Sequence, residues 1–203
     1  MNAISLLKQD HRTVEGLFKQ FEALGDRAAT QKRRIVDQII RELAIHASIE
    51  ETIFYPAVRA AAKFAQKQHE EEADDQILEA LEEHHIVKWT LNELDGMDPE
   101  AERFLAKVTV LMESVRHHVE EEEEELFPTV SMLFAEEELE MMGEEMEMAK
   151  KVAPTKPHPR APDHPPGNLV VGAVAAVVDR GLDVVKGAAA RLRGKKPDQH
   201  PVH

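Results

Sequence analysis

The segment from His46 to Pro56 occurs twice in this chain, and no other feature restricts the fold as strongly. His46-Ala-Ser-Ile-Glu50-Glu51-Thr-Ile-Phe54-Tyr55-Pro56 is echoed 72 positions later by His118-Val-Glu-Glu-Glu122-Glu123-Glu-Glu-Leu126-Phe127-Pro128. Each copy sets a histidine four residues before a glutamate, so an imidazole and a carboxylate share one helix face. Each copy also ends on a proline at the same spacing, where an undistorted helix cannot continue. Nearly the same period relates Asp10-His11-Arg12-Thr13-Val14 to Glu83-His84-His85-Ile86-Val87. The order His, His-x-x-x-Glu, His, His-x-x-x-Glu describes two similar helical hairpins, each with two histidines and one carboxylate.

The rest of the chain agrees with an all-α body. Apolar residues recur at helical spacing and few β-branched alternations occur. Leu7, His11, Val14, Leu17, Phe18 and Phe21 form the stripe of a first helix expected over 3–24. A second, from about 30, carries Ile35, Ile39, Leu43, His46, Ile49, Glu50 and Ile53 inward, and a short continuation follows to about 67. A charged stretch at 69–75 precedes a third helix over 75–94, with Leu81, His84, Val87, Leu91 and Leu94 inside. A turn at 95–99 puts Pro99 in the first turn of a fourth helix, which carries Leu105, Val108, Leu111, Val115, His118 and Glu122 inward. His118 then lies about nineteen residues past that turn and His84 only about eleven before it. The fourth helix must overshoot or start irregularly for the two to meet. A short fifth helix is expected over 136–151.

The expected fold is an antiparallel up-down four-helix bundle over residues 1–153 that includes this fifth helix. A Pro-rich linker at 154–167, a separate amphipathic C-terminal helix at 168–193 and a disordered tail at 194–203 follow. The apolar run in 168–193 is shorter than the ~20 residues of a membrane span. It could dock on the bundle, contact another protein or lie on a membrane surface. The net charge of −14 argues against nucleic acid as a partner. The absence of cysteine excludes thiolate metal sites and iron–sulfur clusters. No basic segment followed by an apolar one opens the chain, which points to a cytoplasmic location.

A lone inward histidine is usually a satisfied core residue, but an inward carboxylate must be paired or metal-bound. His11, His46, His84, His118, Glu50 and Glu122 would together carry a heavy burial penalty without a shared partner. A metal pair answers it, with imidazole and carboxylate donors suiting iron, manganese or zinc. The two glutamates would bridge, an oxide or hydroxide could complete the bridge, and each metal would keep an open position. His85 and His117 lie to the side of this face, and Glu51 and Glu123 are expected to be solvated or to support the ligands from outside. Tyr55, Trp89 and the Met141, Met142 and Met146 group read as packing residues. Glu82-x-x-His85 matches the Glu-x-x-His spacing of ferritin-like proteins once, but in the second and fourth helices the histidine precedes the glutamate, which excludes that scheme.

The ordered set Asp10-His11, His46-x-x-x-Glu50-Glu51…Phe54-Tyr55-Pro56, Glu83-His84 and His118-x-x-x-Glu122-Glu123…Leu126-Phe127-Pro128 resembles the haemerythrin-like (HHE cation-binding) domain family over about residues 1–150. The resemblance implies a non-haem di-iron centre, with His11, His46, His84 and His118 as terminal ligands of two iron ions and Glu50 and Glu122 bridging. Oxygen-carrying haemerythrins have a further histidine where this chain has Lys88, so the bacterial four-histidine, two-glutamate type is the better likeness. The related iron-centre repair proteins add a cysteine-bearing domain, and this chain has no cysteine. The expected function is binding or sensing of O2, NO or peroxide. A catalase-like peroxide-decomposing activity and a metal-switched regulatory or interaction role are the alternatives.

Overall fold

Asn2 starts the first helix: its side-chain oxygen accepts the Ser5 N–H at 2.8 Å, and α1 runs Ala3–Glu22. The computed structural model describes residues 1–25, 28–65 and 67–159. After α1 come α2 (Ala29–Ile49), α3 (Tyr55–Ala62), α4 (Lys67–Leu94), α5 (Phe104–Glu121), α6 (Phe127–Leu133) and α7 (Glu136–Lys150). Two π-helical segments, π1 (Glu50–Phe54) and π2 (Glu122–Leu126), join α2 to α3 and α5 to α6. No strand occurs among the described residues. The linker beyond residue 159, the expected helix at 168–193 and the tail at 194–203 lie outside them.

The helices α1, α2, α4 and α5 form the antiparallel four-helix bundle. Its core falls into two apolar blocks. One, at the end of the two inter-helix turns, holds Val14, Phe18, Phe21, Ile39, Leu43, Leu91, Phe104 and Leu111. The other holds Leu7, Ile49, Phe54, Ile77, Phe127, Leu133 and Met146 beneath α3, α6 and α7. The inward polar residues sit between the blocks. Arg33 ties the turn end together, donating to the Leu94 and Met97 carbonyls at 2.7 and 3.1 Å. The fifth helix, α7, packs on α1, α2 and π1, so it covers the first hairpin and leaves its counterpart open. Glu138 accepts the Ala135 N–H at 2.7 Å where α7 begins. A Cβ at Gly143 would run into the Met1 carbonyl, so the glycine admits the chain start against α7.

Four expectations change. The third helix absorbs the charged stretch at 69–75 and begins at Lys67. The fourth starts at Phe104, not near Pro99: Gly96, at φ 74°, ends α4 in the left-handed conformation, and turns occupy 99–103. That irregular start narrows the mismatch between His84 and His118, whose Nε2 atoms lie 3.1 Å apart. It also shifts the buried position from Leu105, which is 45% exposed, to Phe104. Trp89 and Met141 are exposed rather than packed. Finally, each proline follows a widened turn rather than a simple break. The Tyr55 N–H bonds Glu50 O and the Phe127 N–H bonds Glu122 O, five residues back. A π turn inserted in this way relieves the clash a proline ring makes in an α-helix, and such turns concentrate at functional sites.

Candidate metal centre

Each π segment begins at a glutamate, and both glutamates point into the bundle. Glu50 is 0% exposed and Glu122 2%. His11, His46, His84 and His118 are buried around them. His11, His46, Glu50 and Glu122 each bring a donor atom within 4.8 Å of the others, and Glu50, His84 and His118 do the same. Glu50 Oε2 lies 3.1 Å from His46 Nε2 and 3.4 Å from His84 Nε2. Glu122 Oε2 lies 3.3 Å from His11 Nε2 and 3.6 Å from His118 Nε2. Each glutamate thus reaches one histidine of its own hairpin and one of the other. All six residues singled out by the repeat converge on one place.

Three of the four opposite ring nitrogens are held by carboxylates. His11 Nδ1 is 2.8 Å from Glu123, His84 Nδ1 3.0 Å from Glu51 and His118 Nδ1 2.8 Å from Glu83. His46 Nδ1 is 3.7 Å from Asp10, longer than a hydrogen bond. The pattern follows the repeat. Asp10 and Glu83 precede the first histidine of each hairpin and face the second. Glu51 and Glu123 follow each inward glutamate and cross to the other hairpin. A carboxylate on Nδ1–H fixes the tautomer and leaves the Nε2 lone pair facing inward, the usual support of a metal-bound histidine. Glu51 is therefore buried, not solvated, and Glu123 only partly exposed. Tyr55 was also more than packing: its hydroxyl donates to Glu122 Oε1 at 2.8 Å and lies 3.5 Å from His84 Nε2. Its repeat partner, Phe127, stacks on His11 at 5.9 Å. His85 and His117 stay exposed, and Lys88 fills the place of a further histidine, bonded to Glu51.

The donors fit a cation. His11 Nε2, His46 Nε2, both Glu50 oxygens and Glu122 Oε2 are buried without a hydrogen-bond partner in the protein. His84 Nε2 and His118 Nε2 are 3.1 Å apart, close to the ~3 Å between perpendicular donors at ~2.1 Å from one metal. Without a metal the group shares protons unevenly. Burial, then the charge of Glu122, pushes the Glu50 carboxyl well above its usual range. Burial acts on Glu122 too, but His118 and His11 hold it below. Burial pulls His11 and His118 down, yet the carboxylates around them, Glu122 foremost, leave both raised. Burial brings His46 to about 4, so its ring is neutral. Burial and the two inward glutamates raise Tyr55 well above its usual value, keeping it a phenol that donates.

Two spaces adjoin the donors. A cavity of about 20 Å³ is bounded by the four histidines with Val14, Leu43, Ala47, Val87, Val115 and Val119. A cleft of about 540 Å³ opens between α1 and α5. His11, Val14, Val115 and Val119 border both, so these four side chains form the wall between solvent and the inner cavity.

Comparison with known proteins agrees with this geometry. Residues 2–130 match the family model described as Hemerythrin HHE cation binding domain. An uncharacterized hemerythrin-like protein of Schizosaccharomyces pombe is 31% identical over 88% of this chain and 83% of its own. A Nostoc protein named DNA nickase is 29% identical over 74% of this chain, but only 39% of its own length takes part. The crystal structure of a Hemerythrin HHE cation binding domain-containing protein from Mycobacterium kansasii superposes with a TM-score of 0.59 at 25% identity, covering 75% of this chain and 86% of that one.

Proposed function

The chain belongs to the hemerythrin HHE cation-binding domain family, and on that premise we propose that it is a non-haem di-iron protein that binds or senses O2, NO or peroxide. The observation that carries the reading is the small apolar cavity against the four histidines. About 20 Å³ exceeds the ~10–15 Å³ that one water needs, and its lining offers little besides imidazole to hold water there. Such a space suits a diatomic or a molecule of peroxide size.

His11, His46, His84 and His118 would hold the two ions as terminal ligands, with Glu50 and Glu122 shared between them. Bound iron supplies an open coordination position and electrons for a small oxidant. The chain's own residues do the rest. The outer carboxylates fix the rings, and the apolar wall keeps bulk water out. Tyr55 fixes one oxygen of Glu122 and keeps a proton beside the centre. The cleft between α1 and α5 is the route in, across the His11–Val14–Val115–Val119 wall.

That buried phenol favours one second reading, disproportionation of two peroxide molecules to two waters and O2, which needs protons moved near the bond that breaks. Elemental analysis of protein from iron-supplemented cells is expected to find about two irons per chain, lost in His46→Ala and Glu122→Ala. Reduced protein should change its optical spectrum on adding O2 or NO. Absence of iron from folded protein, or an unchanged spectrum, overturns the proposal. For the second reading, Tyr55→Phe should slow O2 evolution by about 10²-fold, the low end for a lost general acid, while iron content holds.

A further inference from the structure

The two hairpins are alike in the centre but differ just outside it. Positions 117 and 121 in the second correspond to Ile45 and Ile49 in the first. Ile45 and Ile49 are buried, and Ile49 belongs to the apolar block that includes Met142 and Met146 of α7. On the second hairpin these positions are His117 and Glu121, and Glu83 of α4 lies across from them. One donor atom from each of Glu83, His117 and Glu121 falls within 4.8 Å of the other two. His117 Nε2 and Glu121 Oε1, one helical turn apart, are 3.2 Å apart. Glu83 is held in place, since its Oε2 lies on His118 Nδ1 at 2.8 Å.

A solvated helix face is the plain explanation for polar residues where no helix covers them. It does not explain the convergence of an imidazole and two carboxylates from two helices. Nor does it explain why these carboxylates have histidine as their counterpart in place of lysine or arginine. Among the described residues no lysine or arginine forms an ion pair with Glu79, Glu83, Glu121 or Glu125. Nitrogen with two oxygens, partly exposed, is a donor set for a borderline divalent cation rather than for calcium or magnesium, which take oxygen ligands.

We propose that Glu83, His117 and Glu121 form a second cation site on the protein surface, which takes one divalent transition-metal ion and shares Glu83 with the outer nitrogen of His118. The site stands apart from the buried centre: it lies on the outer side of α4 and α5, and its three residues are not among the six inward donors. It does not depend on the centre holding iron.

Isothermal titration of Zn2+ into the full chain, with the buried centre already loaded with the metal it was purified with, tests this. Elemental analysis before and after confirms that the centre is unchanged. Histidines elsewhere, including His158, also take up Zn2+ weakly, so the reading is a difference between variants. Wild type should bind one more equivalent than His117→Ala. Glu121→Gln should weaken that equivalent by at least about tenfold, since even removing an outer partner of a metal ligand costs 10–100-fold. His85→Ala, which removes an exposed histidine of α4 outside the cluster, should match wild type. Identical isotherms for wild type and His117→Ala overturn the proposal. So does an equal loss in His85→Ala, which would mean diffuse surface binding.

Discussion

The seam between α2 and α4 and the seam between α1 and α5 are counterparts in the repeat, yet one is sealed and the other open. At the first, Glu51 crosses to His84 and is buried, with Lys88 on its far side at 3.0 Å. At the second, Glu123 crosses to His11 in the same way but is one-third exposed, and its cation, Lys8, stands 3.7 Å off. The residue one turn after the first histidine decides the difference. After His84 it is Lys88, which turns in to Glu51. After His11 it is Glu15, which cannot pair with Glu123 and turns out to Arg116. A cleft of about 540 Å³ is left beside His11. Ligand duplication and access are therefore separable: the inner donors need both copies, while one unmatched charge opens one side.

The largest expected break in this comparison is at the lysines. Lys88→Met leaves the buried Glu51 with only the His84 ring, and losing one partner of a buried ion pair costs about 3–5 kcal/mol. Lys8→Met acts on a pair about one-third exposed and should stay within about 0.5 kcal/mol. Denaturant unfolding of the metal-free proteins measures both, and Glu51→Gln added to Lys88→Met should restore part of the loss. Equal effects at the two lysines would mean that the seams do not differ as described.

A smaller effect concerns traffic. A Cβ at Gly16 meets nothing within 4 Å, so Gly16→Trp can project into the cleft without disturbing α1. If it adds about 1 kcal/mol to the passage, stopped-flow binding of NO to the reduced protein slows about fivefold. Val119→Ala thins the wall and should speed it. Iron content and the final spectrum should not change in either variant. Unaltered rates in both would place the route elsewhere.

The bundle and its six inward donors were legible because the repeat states them twice. A histidine and a glutamate four apart share a face whatever the surroundings. The outer carboxylates were harder to read, although the signal was present: an acid before His11 and His84, and a second acid after Glu50 and Glu122. Spacing along one helix cannot show that Glu51 and Glu123 reach the opposite hairpin, so it leaves both solvation and outer support of the ligands open. Pro56 and Pro128 announced a disturbance but not its form, because a widened turn and a broken helix share the same local sequence. Phe104 replaced Leu105 in the core because turn geometry at Gly96, a tertiary property, sets the phase of α5. The cleft was least legible of all. It depends on where Lys88 and Glu15 point, which periodicity leaves undetermined.

The smallest expected effect separates two histidines of one hairpin by their charge surroundings. His11 borders the open seam and touches Glu122 and Glu123, which leave its pKa raised above 6.5. His46 is brought to about 4 by burial. In the metal-free protein their signs are opposite. A ring with a raised folded pKa contributes stability that is complete below 6.5 and lost as pH rises through the raised value. A ring held near 4 costs nothing above 6.5, but below it the unfolded chain takes up a proton that the folded one refuses. Between pH 6.5 and 5.5 each such group changes stability by at most about 1.4 kcal/mol. Relative to wild type, His46→Gln should therefore gain stability as pH falls from 7.5 to 5.5, and His11→Gln should lose it. Urea titrations of metal-free protein across that range give the two slopes. Slopes of the same sign would mean that Glu122 and Glu123 do not hold a proton on His11 and that the two rings share one environment. Metal loading reads the same asymmetry a second way, since a ligand nitrogen must be free of its proton. Among the histidines, proton release on loading near neutral pH should come from His11 and His118, whose rings are the ones held raised, and not from His46, while the raised Glu50 carboxyl adds its own proton.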